Sequence, residues 1–387
     1  MWERLTPFER EFKARCRRFA EDVIAPNARE YDEKNCFPRK VHDAAYEAGL
    51  MNVGFATELG GKGYSHRAIA IGGEELAAAC APTAFTMGFN HGALRPVLVA
   101  GTPEQRQVVV RDLLHRRGYA SLCMTEPAAS GSNVLNLATR AVRTARGWAI
   151  TGTKCMIGNG CDASLYVVMA NAFVDGKNHG LSFFVVPRGD GVEVSENPVK
   201  IGFHCLTTPT ISFQGAEVSD DHLLGSPGDA ERILADALDY MRFGGGSVIL
   251  GLVVGALRGV LPFIEDRKVA FGESLAQQSH VKFLLGELFT ELRLVRLQLW
   301  EAAEKLDRGE RASLETAMVK LAASRLAVRA TNEIVQLFGW RGVVDHYGLE
   351  KRARDARVTT IYEGTSEQQL LNIYRELRAS LASDANL

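Results

Sequence analysis

Residues 281–299, VKFLLGELFTELRLVRLQL, carry the pattern that decides the fold. Their spacing places one set of apolar side chains on a single face of an α-helix. The set recurs every three or four residues, at Val281, Leu284, Leu285, Leu288, Phe289, Leu292, Val295 and Leu299. The alanine-rich stretch from Leu314 to Phe338 predicts a second long helix. Long antiparallel helices bury their apolar faces against each other, so the sequence predicts a helical bundle.

Two regions with other sequence patterns precede this bundle, one helical and one rich in predicted strands. The segment Thr6-Pro7-Phe8-Glu9 predicts the start of a helix, because its threonine and glutamate form a capping box and its proline suits the first turn. From about Gly118, short runs rich in β-branched and aromatic residues predict strands, at 148–151, 165–169, 181–186 and 210–213. No helix-length period separates these runs, which argues against a parallel βαβ sheet.

The predicted fold class is α+β, mainly α, with several domains. A chain of 387 residues is long enough for two or three packed units. We expect an N-terminal helical domain over 1–117, a small β-barrel or β-sandwich domain over 118–226, and a C-terminal four-helix bundle over 227–387.

The composition is that of an ordinary globular protein, with 46% hydrophobic residues, 24% charged residues and a net charge of −1. This balance lacks the strongly basic domain that is typical of nucleic-acid binders. Its seven cysteines form no CxxC pair, which suits a reducing compartment. The start, MWERLTPFEREF, is too charged for a signal peptide, and the longest uncharged helical run, between Arg242 and Arg258, has 15 residues. We therefore expect a cytoplasmic protein without nucleic-acid or membrane partners.

Scans for common motifs argue against several kinds of site. Residues 158–163 match the dinucleotide pattern GxGxxA, but a predicted strand follows where that fingerprint needs a helix. The glycine run at 244–246 lacks the lysine of a P-loop. The sequence contains no HExxH, no GxSxG and no closely spaced set of cysteines and histidines, so we expect no metal centre and no serine hydrolase.

Four segments, in order along the chain, resemble the acyl-CoA dehydrogenase family of flavoproteins. TEPAASGSN at 125–133 is similar to the family's TEPxAGSD loop, and GTKCMIGNG at 152–160 is similar to its GxKxWITNG segment. Further along the chain, QLFG at 336–339 is similar to QxxGG, and IYEGTSE at 361–367 is similar to the closing YEGTS motif. The order of a helical, a β and a second helical region is also that family's architecture. Each motif alone is a moderate signal, and their order makes the resemblance specific.

The resemblance implies an FAD-dependent oxidoreductase that acts on CH–CH groups and dehydrogenates an acyl thioester to the enoyl thioester. In the family, a carboxylate removes the α-proton next to the thioester carbonyl, and flavin N5 accepts the β-hydride. The resemblance implies that Glu363 is this base, a role that needs a poorly solvated carboxylate of raised proton affinity. Its backbone N–H and a flavin hydroxyl would donate to the thioester oxygen. Met241 stands where some members carry the base, which leaves Glu363 as the sole candidate.

The resemblance also implies the binding residues. The cofactor-binding set is Met124, Thr125, Ser132, Ile157, Gly158, Arg267, Phe271, Gln336, Gly339, Thr365, Ser366 and Glu367. The substrate-binding set is His91, Asp239, Arg242 and Gly364, of which Asp239 and Arg242 would line the channel for the acyl carrier and support the base loop. The alternatives are an ordinary loop at 124–133, a surface ion pair between Asp239 and Arg242, and a solvated carboxylate at Glu363.

The departures from the family pattern concentrate at the flavin. Met156 replaces the usual tryptophan beside the ring, and Gly158 replaces the usual threonine whose hydroxyl bonds N5. The stretch 267–270 is one residue longer than the pattern, so either Arg267 or Lys268 is placed to reach the diphosphate. These changes leave the individual flavin contacts and the electron acceptor open.

A basic segment, RDLLHRR at 111–117, is a further departure. A basic edge suits an acidic acyl carrier protein or the phosphates of coenzyme A. The alternative interpretation is a solvated helix end, since positive charges are favourable near a helix C-terminus.

Three functions remain open at this point. The first is dehydrogenation of a thioester held by coenzyme A or by the acyl carrier protein of a specialised biosynthetic pathway, with an electron-transfer flavoprotein or O₂ as acceptor. The second is a flavin oxidase or monooxygenase of the same fold that uses O₂, against which Glu363 argues because the oxygenase type is expected to lack that carboxylate. The third is a flavin-free scaffold, suggested by the changes at 156 and 158. The family's flavin commonly lies against a neighbouring subunit, so we expect a homo-oligomer, either a tetramer or a dimer.

Overall fold

The computed structural model describes residues 5–129, 136–269 and 272–382. Helix α1 begins as the sequence predicts: Thr6 Oγ1 accepts a hydrogen bond from Glu9 N–H (3.2 Å), and the Glu9 carboxylate accepts one from Thr6 N–H (2.8 Å). The N-terminal helices are α1 (Pro7–Phe19), α2 (Ala25–Lys34), α3 (Arg39–Glu47), α4 (His66–Ala79), α5 (Ala81–Ala93), α6 (Arg95–Ala100), α7 (Pro103–Gln105) and α8 (Asp112–His115). Two π-helical segments, Ala20–Ile24 and Arg106–Arg111, lead into α2 and α8.

The middle region is a sheet of eight strands. They are β1 (Ala120–Cys123), β2 (Arg140–Thr144), β3 (Gly147–Lys154), β4 (Leu165–Val174), β5 (Lys177–Pro187), β6 (Val192–Val194), β7 (Ile211–Val218) and β8 (Leu223–Leu224). The order along the sheet is β6-β7-β3-β2-β4-β5-β8, with β1 also paired to β4. The strands β1 and β2 run parallel to β4, and the remaining pairs are antiparallel.

The four strands that the sequence predicts correspond to β3, β4, β5 and β7. The prediction named none of the other four. Strand β2 has the sequence RAVRT, whose two arginines obscure any apolar pattern, and its extended form depends on pairing with β3 and β4. Pairing between distant segments therefore decides these strands.

The C-terminal region consists of helices, three of them long. They are α9 (Ala230–Asp266), α10 (Ser279–Asp307), α11 (Ser313–Phe338), α12 (Trp340–Val343), α13 (Leu349–Thr359) and α14 (Ser366–Ala382). The apolar stripe of residues 281–299 lies within α10, and the alanine-rich stretch is α11. The predicted order of a helical, a β and a second helical region is confirmed, and so is the mainly helical fold class.

Helix α9 is the central helix and packs against α4 and α11. Among the described residues it alone is long and apolar enough to cross a bilayer, but 61% of its most apolar window is buried inside the protein. The uncharged run counted in the sequence begins only after Arg242. The helix itself has 37 residues and includes Arg242, which is buried. A helix that is apolar on most of its faces is typical of a protein core as well as of a membrane, and here neighbouring helices cover it.

A buried ion pair joins α4 to α10 beside this central helix. Arg296 donates two hydrogen bonds to the carboxylate of Glu74, both at 2.8 Å, and neither side chain is more than 4% exposed. Gly251 lets α9 approach the same point, because a Cβ there would lie 2.4 Å from the carbonyl oxygen of Glu74. The pair therefore fixes how the N-terminal helices sit on the bundle.

Replacing Arg296 with methionine leaves the Glu74 carboxylate charged in the core without this partner. Breaking a buried pair from one side costs about 3–5 kcal/mol, whereas an exposed pair is worth about 0–1 kcal/mol. We expect urea unfolding of Arg296→Met to show the larger loss. The matched control is Arg146→Met, which breaks an exposed pair with Glu217 (3.0 Å) and should change the free energy of unfolding little. Equal losses in the two variants would contradict this account of the core.

Candidate active site

An apolar cavity of about 110 Å³ lies where α4 and α5 meet α9. Its walls are mostly hydrocarbon, from side chains such as Leu76, Phe85, Met87, Phe89 and Val248. Glycines of α4, α5 and α9 keep the space open, and one carboxylate, that of Glu363, reaches its wall. A largely apolar cavity with one acidic group is typical of a site that binds a hydrocarbon chain and does acid–base chemistry on it.

Glu363 lies in the loop between α13 and α14. Its backbone is in the left-handed region (φ +54°), as is that of Gly364 (φ +90°). The residue as a whole is half-buried, yet Oε2 is inaccessible to solvent and accepts no hydrogen bond from the described residues. The carboxylate lies against Gly245 of α9, where a Cβ would come within 2.2 Å of Oε2. A glycine at 245 is therefore what lets the carboxylate occupy this wall.

The surroundings raise the pKa of the Glu363 carboxyl above its ordinary value. Burial is the main cause, because removing a carboxylate from water disfavours its charged form. The positive charges of Lys320 and Arg242 partly oppose the shift. A carboxyl of raised proton affinity that faces an apolar cavity has the properties of a general base.

Asp239 and Arg242 are buried beside this carboxylate, at 5% and 7% exposure, so they are not a surface ion pair. Arg242 donates to Asp239 at 3.3 Å, and Ser313 also donates to Asp239. Arg242 Nε is buried without a hydrogen-bond partner among the described residues. Burial lowers the pKa of Arg242, and the charges of Asp239 and Glu363 oppose that shift. The pair thus places near the Glu363 carboxylate an N–H donor that has no partner among the described residues.

His91 lies on the cavity wall but its ring is already engaged. Its Nε2 accepts a hydrogen bond from Gly54 N–H (3.1 Å), and the ring stacks on Phe55 with 4.1 Å between centroids. Burial lowers the pKa of His91 to about 3, so the imidazole is neutral. The contacts make His91 part of the wall rather than a proton carrier.

Two turns of the β region carry the predicted flavin contacts Met124, Thr125, Ile157 and Gly158. Lys154 joins them, because its buried Nζ donates to Met124 O (3.0 Å) and to Glu126 (2.9 Å). A further hydrogen bond runs from Cys155 N–H to Thr125 O (2.9 Å). The structure thus brings the two turns together, next to α5.

Gly158 faces Phe89, a residue that also lines the cavity. A Cβ at 158 would lie 2.4 Å and 2.5 Å from two carbons of the Phe89 ring. The phenyl ring therefore fills the space that a larger side chain at 158 would need. Met156, in the same turn, is 54% exposed with φ +57°.

Thr365, Ser366 and Glu367 lie at the start of α14, directly after the Glu363 loop. Thr365 Oγ1 accepts a hydrogen bond from Gln368 N–H (3.3 Å) and so caps the first turn. The N-terminal end of a helix presents N–H groups and a partial positive charge, which suit a phosphate.

The remaining predicted cofactor residues do not meet Glu363 in this chain. Arg267 follows the last residue of α9, and 22 positions from Gly245 correspond to about 33 Å along the helix. Gln336 and Gly339, at the end of α11, are exposed and belong to that same end of the bundle, where Phe338 stacks on Phe263 of α9. The other two, Ser132 and Phe271, lie outside the described residues.

The basic segment 111–117 forms π-helical residues, α8 and the turn after it. Its last residue, Arg117, is paired with Glu47 at 2.7 Å, and its guanidinium lies over the ring of Tyr46. Arg111, His115 and Arg116 are exposed. The surface is therefore less basic than the sequence alone indicates.

Sequence reasoning missed three residues of this site: Gly245, Phe89 and Lys320. Lys320 is fully buried in α11 and donates to main-chain carbonyls of the base loop. Its position within an otherwise apolar stretch, AMVKLAA, was the available signal. Nothing local marks Gly245 or Phe89, because their partners are distant in the chain.

Three family models match the chain. They are the N-terminal domain of acyl-CoA dehydrogenase at 6–117, its middle domain at 121–216 and its C-terminal domain at 232–378. The chain is 35% identical over 370 residues to the mitochondrial short-chain specific acyl-CoA dehydrogenase of Bos taurus, an alignment that covers 95% of this chain and 89% of that protein.

Solved structures are similar over almost the whole chain. One is butyryl-CoA dehydrogenase from Megasphaera elsdenii, with a TM-score of 0.91, 28% identity and coverage of 97% of this chain and 99% of that one. Another is a chain in a structure described as the electron transferring flavoprotein of Acidaminococcus fermentans, with a TM-score of 0.92, 30% identity and coverage of 96% and 98%.

The contact between Gly158 and Phe89 is testable by a double-mutant cycle. We expect Gly158→Thr alone to lower the free energy of unfolding by about 1–3 kcal/mol, because the new side chain overpacks against the ring. The loss in Gly158→Thr with Phe89→Ala should be smaller than the sum of the single losses, since alanine vacates the space. Gly189→Thr is the control, as a Cβ there meets no atom within 4 Å. Additive losses in the cycle, measured by thermal unfolding, would show that the two side chains do not compete.

Proposed function

The chain belongs to the acyl-CoA dehydrogenase family of flavin-dependent oxidoreductases, and we propose that it dehydrogenates a short-chain acyl-CoA to the trans-2-enoyl thioester, with Glu363 as the base. The observation that carries this proposal is the Glu363 carboxylate at the wall of the apolar cavity, where Oε2 is buried and accepts no hydrogen bond from the described residues. The raised pKa of that carboxyl supports the same role, because removal of a weakly acidic C–H proton needs a base of high proton affinity.

The residues present fit FAD. The joined turns at Met124–Thr125 and Ile157–Gly158 offer a hydroxyl and backbone groups beside the cavity, and the start of α14 offers a place for phosphate. When bound, FAD supplies the acceptor for the hydride that leaves the β-carbon. The residues that would hold the cofactor are those of these two turns together with Thr365 and Ser366.

The protein's part in the chemistry centres on the loop of Glu363. The carboxylate takes the α-proton, and the charges of Lys320 and Arg242 stabilise its ionised form against burial. The backbone N–H of Glu363 makes no hydrogen bond to another described residue, so it is free to donate to the thioester oxygen where enolate charge develops. The walls are mostly apolar, and electrostatic interactions are stronger beside apolar groups than in water.

The size of the cavity argues for a short acyl group. An enclosed protein cavity of about 150 Å³ holds benzene, so the 110 Å³ here has room for a short acyl group. Two polar side chains on the wall are already engaged: His91 with Gly54, and Ser247 Oγ with Gly244 O (2.7 Å). The relatives named short-chain specific and butyryl-CoA dehydrogenase support this choice.

We propose that the acyl group is carried as a thioester of coenzyme A rather than of a carrier protein. The charge of Arg117 is neutralised by Glu47, which weakens the case for docking of an acidic domain on 111–117. For the acceptor we propose an electron-transferring flavoprotein, as in the name of the Acidaminococcus fermentans structure. An oxidase that uses O₂ remains the alternative.

Anaerobic reduction of the bound flavin by a panel of thioesters tests this function. Butyryl-CoA should bleach the flavin fastest, and longer acyl-CoAs progressively more slowly. Faster bleaching by an acyl group on a carrier protein than by the matched acyl-CoA would overturn the proposal that coenzyme A carries the acyl group. A purified holoenzyme that no acyl thioester reduces would overturn the function itself.

Glu363→Gln tests the base. It keeps the shape of the side chain but removes the proton acceptor, so flavin reduction should slow by about 10²- to 10⁴-fold. The control is Glu376→Gln on α14, which removes a carboxylate paired with Arg311 rather than one at the cavity and should reduce the flavin at the wild-type rate. Stopped-flow spectroscopy measures both rates, and the flavin absorbance confirms that the cofactor is retained. Near-normal reduction in Glu363→Gln would disprove the assignment.

We further propose that the protein is a homo-oligomer in which Arg267, Gln336 and Gly339 serve the flavin of a neighbouring subunit. The distance of about 33 Å along α9 separates this set from Glu363 in one chain. Apolar side chains also line outer faces of α10 and α14, including Phe283, Leu294, Leu371 and Tyr374, each at least 53% exposed. Exposed apolar faces of this kind are typical of subunit interfaces.

Light scattering on a sizing column should therefore give a mass of a dimer or a tetramer. Combining Phe283→Lys with Leu294→Lys should lower that mass and weaken FAD retention, because charges on an interface are costly to bury. Val199→Lys is the control, since Val199 is 83% exposed in the β region. A wild-type monomer that retains FAD would contradict the proposal.

A further inference from the structure

The loop that carries Glu363 is held at both ends by one lysine. Nζ of Lys320, which is fully buried in α11, donates to the carbonyl of Thr359 (2.7 Å) and to that of Gly364 (2.9 Å). Thr359 is the last residue of α13, and Gly364 directly follows Glu363. A single ammonium group therefore joins the two ends of the six-residue stretch 359–364.

This stretch needs such a restraint because its backbone is strained. A non-glycine residue at positive φ costs of order 1 kcal/mol, and Glu363 has φ +54°. Strained conformations persist where surrounding contacts over-determine them. Besides Lys320, the amide of Gln369 donates to Glu363 O (3.2 Å) and Gly364 O (3.0 Å), and Ser324 Oγ donates to Thr359 O (2.9 Å).

Lys320 differs from these neutral donors by its charge. Both of its acceptors are uncharged carbonyls, and no carboxylate within the described residues forms an ion pair with it at 4 Å or less. By contrast, Arg242 already pairs with Asp239. The charge of Lys320 is thus left to act on the Glu363 carboxylate.

Charged and titratable groups face Glu363 from every side. Arg242 acts on Glu363 from α9 and Lys320 acts on it from α11, while the neutral ring of His91 lines the same cavity from α5. The exposed Glu367 of α14 acts on Lys320. The hydroxyl of Tyr362, whose ring lies 5.4 Å from Lys320 Nζ, is buried next to the base. Burial lowers the pKa of Lys320, and the charge of Glu363 opposes that shift.

We propose that Lys320 is a positioning residue for the base: it fixes the loop so that the Glu363 carboxylate faces the cavity, and its charge sets the pH at which that carboxylate ionises. The proposal rests on the proposed role of Glu363. Lys320 does not line the cavity, and its hydrogen bonds go to main-chain carbonyls of the loop. It acts through the loop and through its field, so it should affect turnover more than substrate binding.

Two variants of the holoenzyme separate geometry from charge. Lys320→Gln keeps a donor for the carbonyls but loses the charge, and Lys320→Arg keeps the charge but changes the shape. Ser324→Ala is the matched control, since it removes a hydrogen bond to the same Thr359 carbonyl without any change of charge. Each protein is assayed with butyryl-CoA for kcat and KM across pH 5 to about 10, the range over which a shifted carboxyl titrates. Thermal unfolding and FAD content are measured in parallel.

In Lys320→Gln we expect kcat to fall by about 10²-fold, as a displaced catalytic group can cost that much, with KM little changed. The acidic limb of the plot of kcat against pH should move to higher pH by about one unit or more in this variant. The reason is that a nearby positive charge no longer favours the ionised form of the Glu363 carboxyl. In Lys320→Arg the limb should stay in place while kcat falls. Ser324→Ala should lower the unfolding temperature without moving the limb.

The proposal is overturned if Lys320→Gln keeps the wild-type limb and kcat, or if it only loses stability as Ser324→Ala does. Should Lys320→Gln fail to fold, Lys320→Arg decides: reduced kcat with an unmoved limb supports the proposal, and wild-type kcat overturns it. Full flavin reduction in Glu363→Gln would instead remove the base assignment. Slow reduction in Glu363→Gln together with wild-type behaviour in the Lys320 variants would remove only the role of Lys320.

Discussion

The carboxylate of Glu363 is buried at an apolar wall, one of its oxygens has no hydrogen-bond partner in the part of the chain that the structure describes, and the rest of the site is arranged around that constraint. An unpaired buried carboxylate is costly, so the group holds its proton more tightly than an exposed glutamate. Gly245 provides the space for the carboxylate. The positive charges of Lys320 and Arg242 limit how far burial raises its pKa. The same arrangement that destabilises the folded chain locally is what gives the carboxylate the strength of a base.

The three regions of the chain meet at this carboxylate. Helices α4 and α5 of the N-terminal region and the central helix α9 form the cavity, and the loop between α13 and α14 carries Glu363, the proposed base. The β region contributes the turns at 124–125 and 157–158, which Lys154 holds together. The phenyl ring of Phe89 lies between these turns and the cavity, so it connects the predicted cofactor side with the acyl side. The buried pair between Glu74 and Arg296 joins α4, which forms part of the cavity wall, to α10 of the bundle.

Periodicity was enough to predict the order of the regions, because the stripe of 281–299 and the runs of β4 and β5 are local patterns. It was not enough for β2, whose strand form depends on pairing with β3 and β4. The proposal that Glu363 is the base came from the YEGTS resemblance and from no spacing rule. The burial of Asp239 and Arg242 was invisible as well, since two charges three residues apart look the same on a surface helix and in a core. Contacts between distant residues, such as Gly158 with Phe89 and Lys320 with Gly364, leave no pattern in a single sequence.

The most direct test of the central claim is α-proton exchange on acetyl-CoA in D₂O, because acetyl-CoA has an α-carbon but no β-carbon from which a hydride could leave. Mass spectrometry follows deuterium uptake with the wild-type holoenzyme and with Glu363→Gln as pH is varied. The account predicts uptake with the wild type that keeps rising with pH well above 4.5, the ordinary pKa of a glutamate, and none above background with the variant. Uptake that is unchanged in the variant, or that is already constant above the ordinary range of a glutamate, would contradict it.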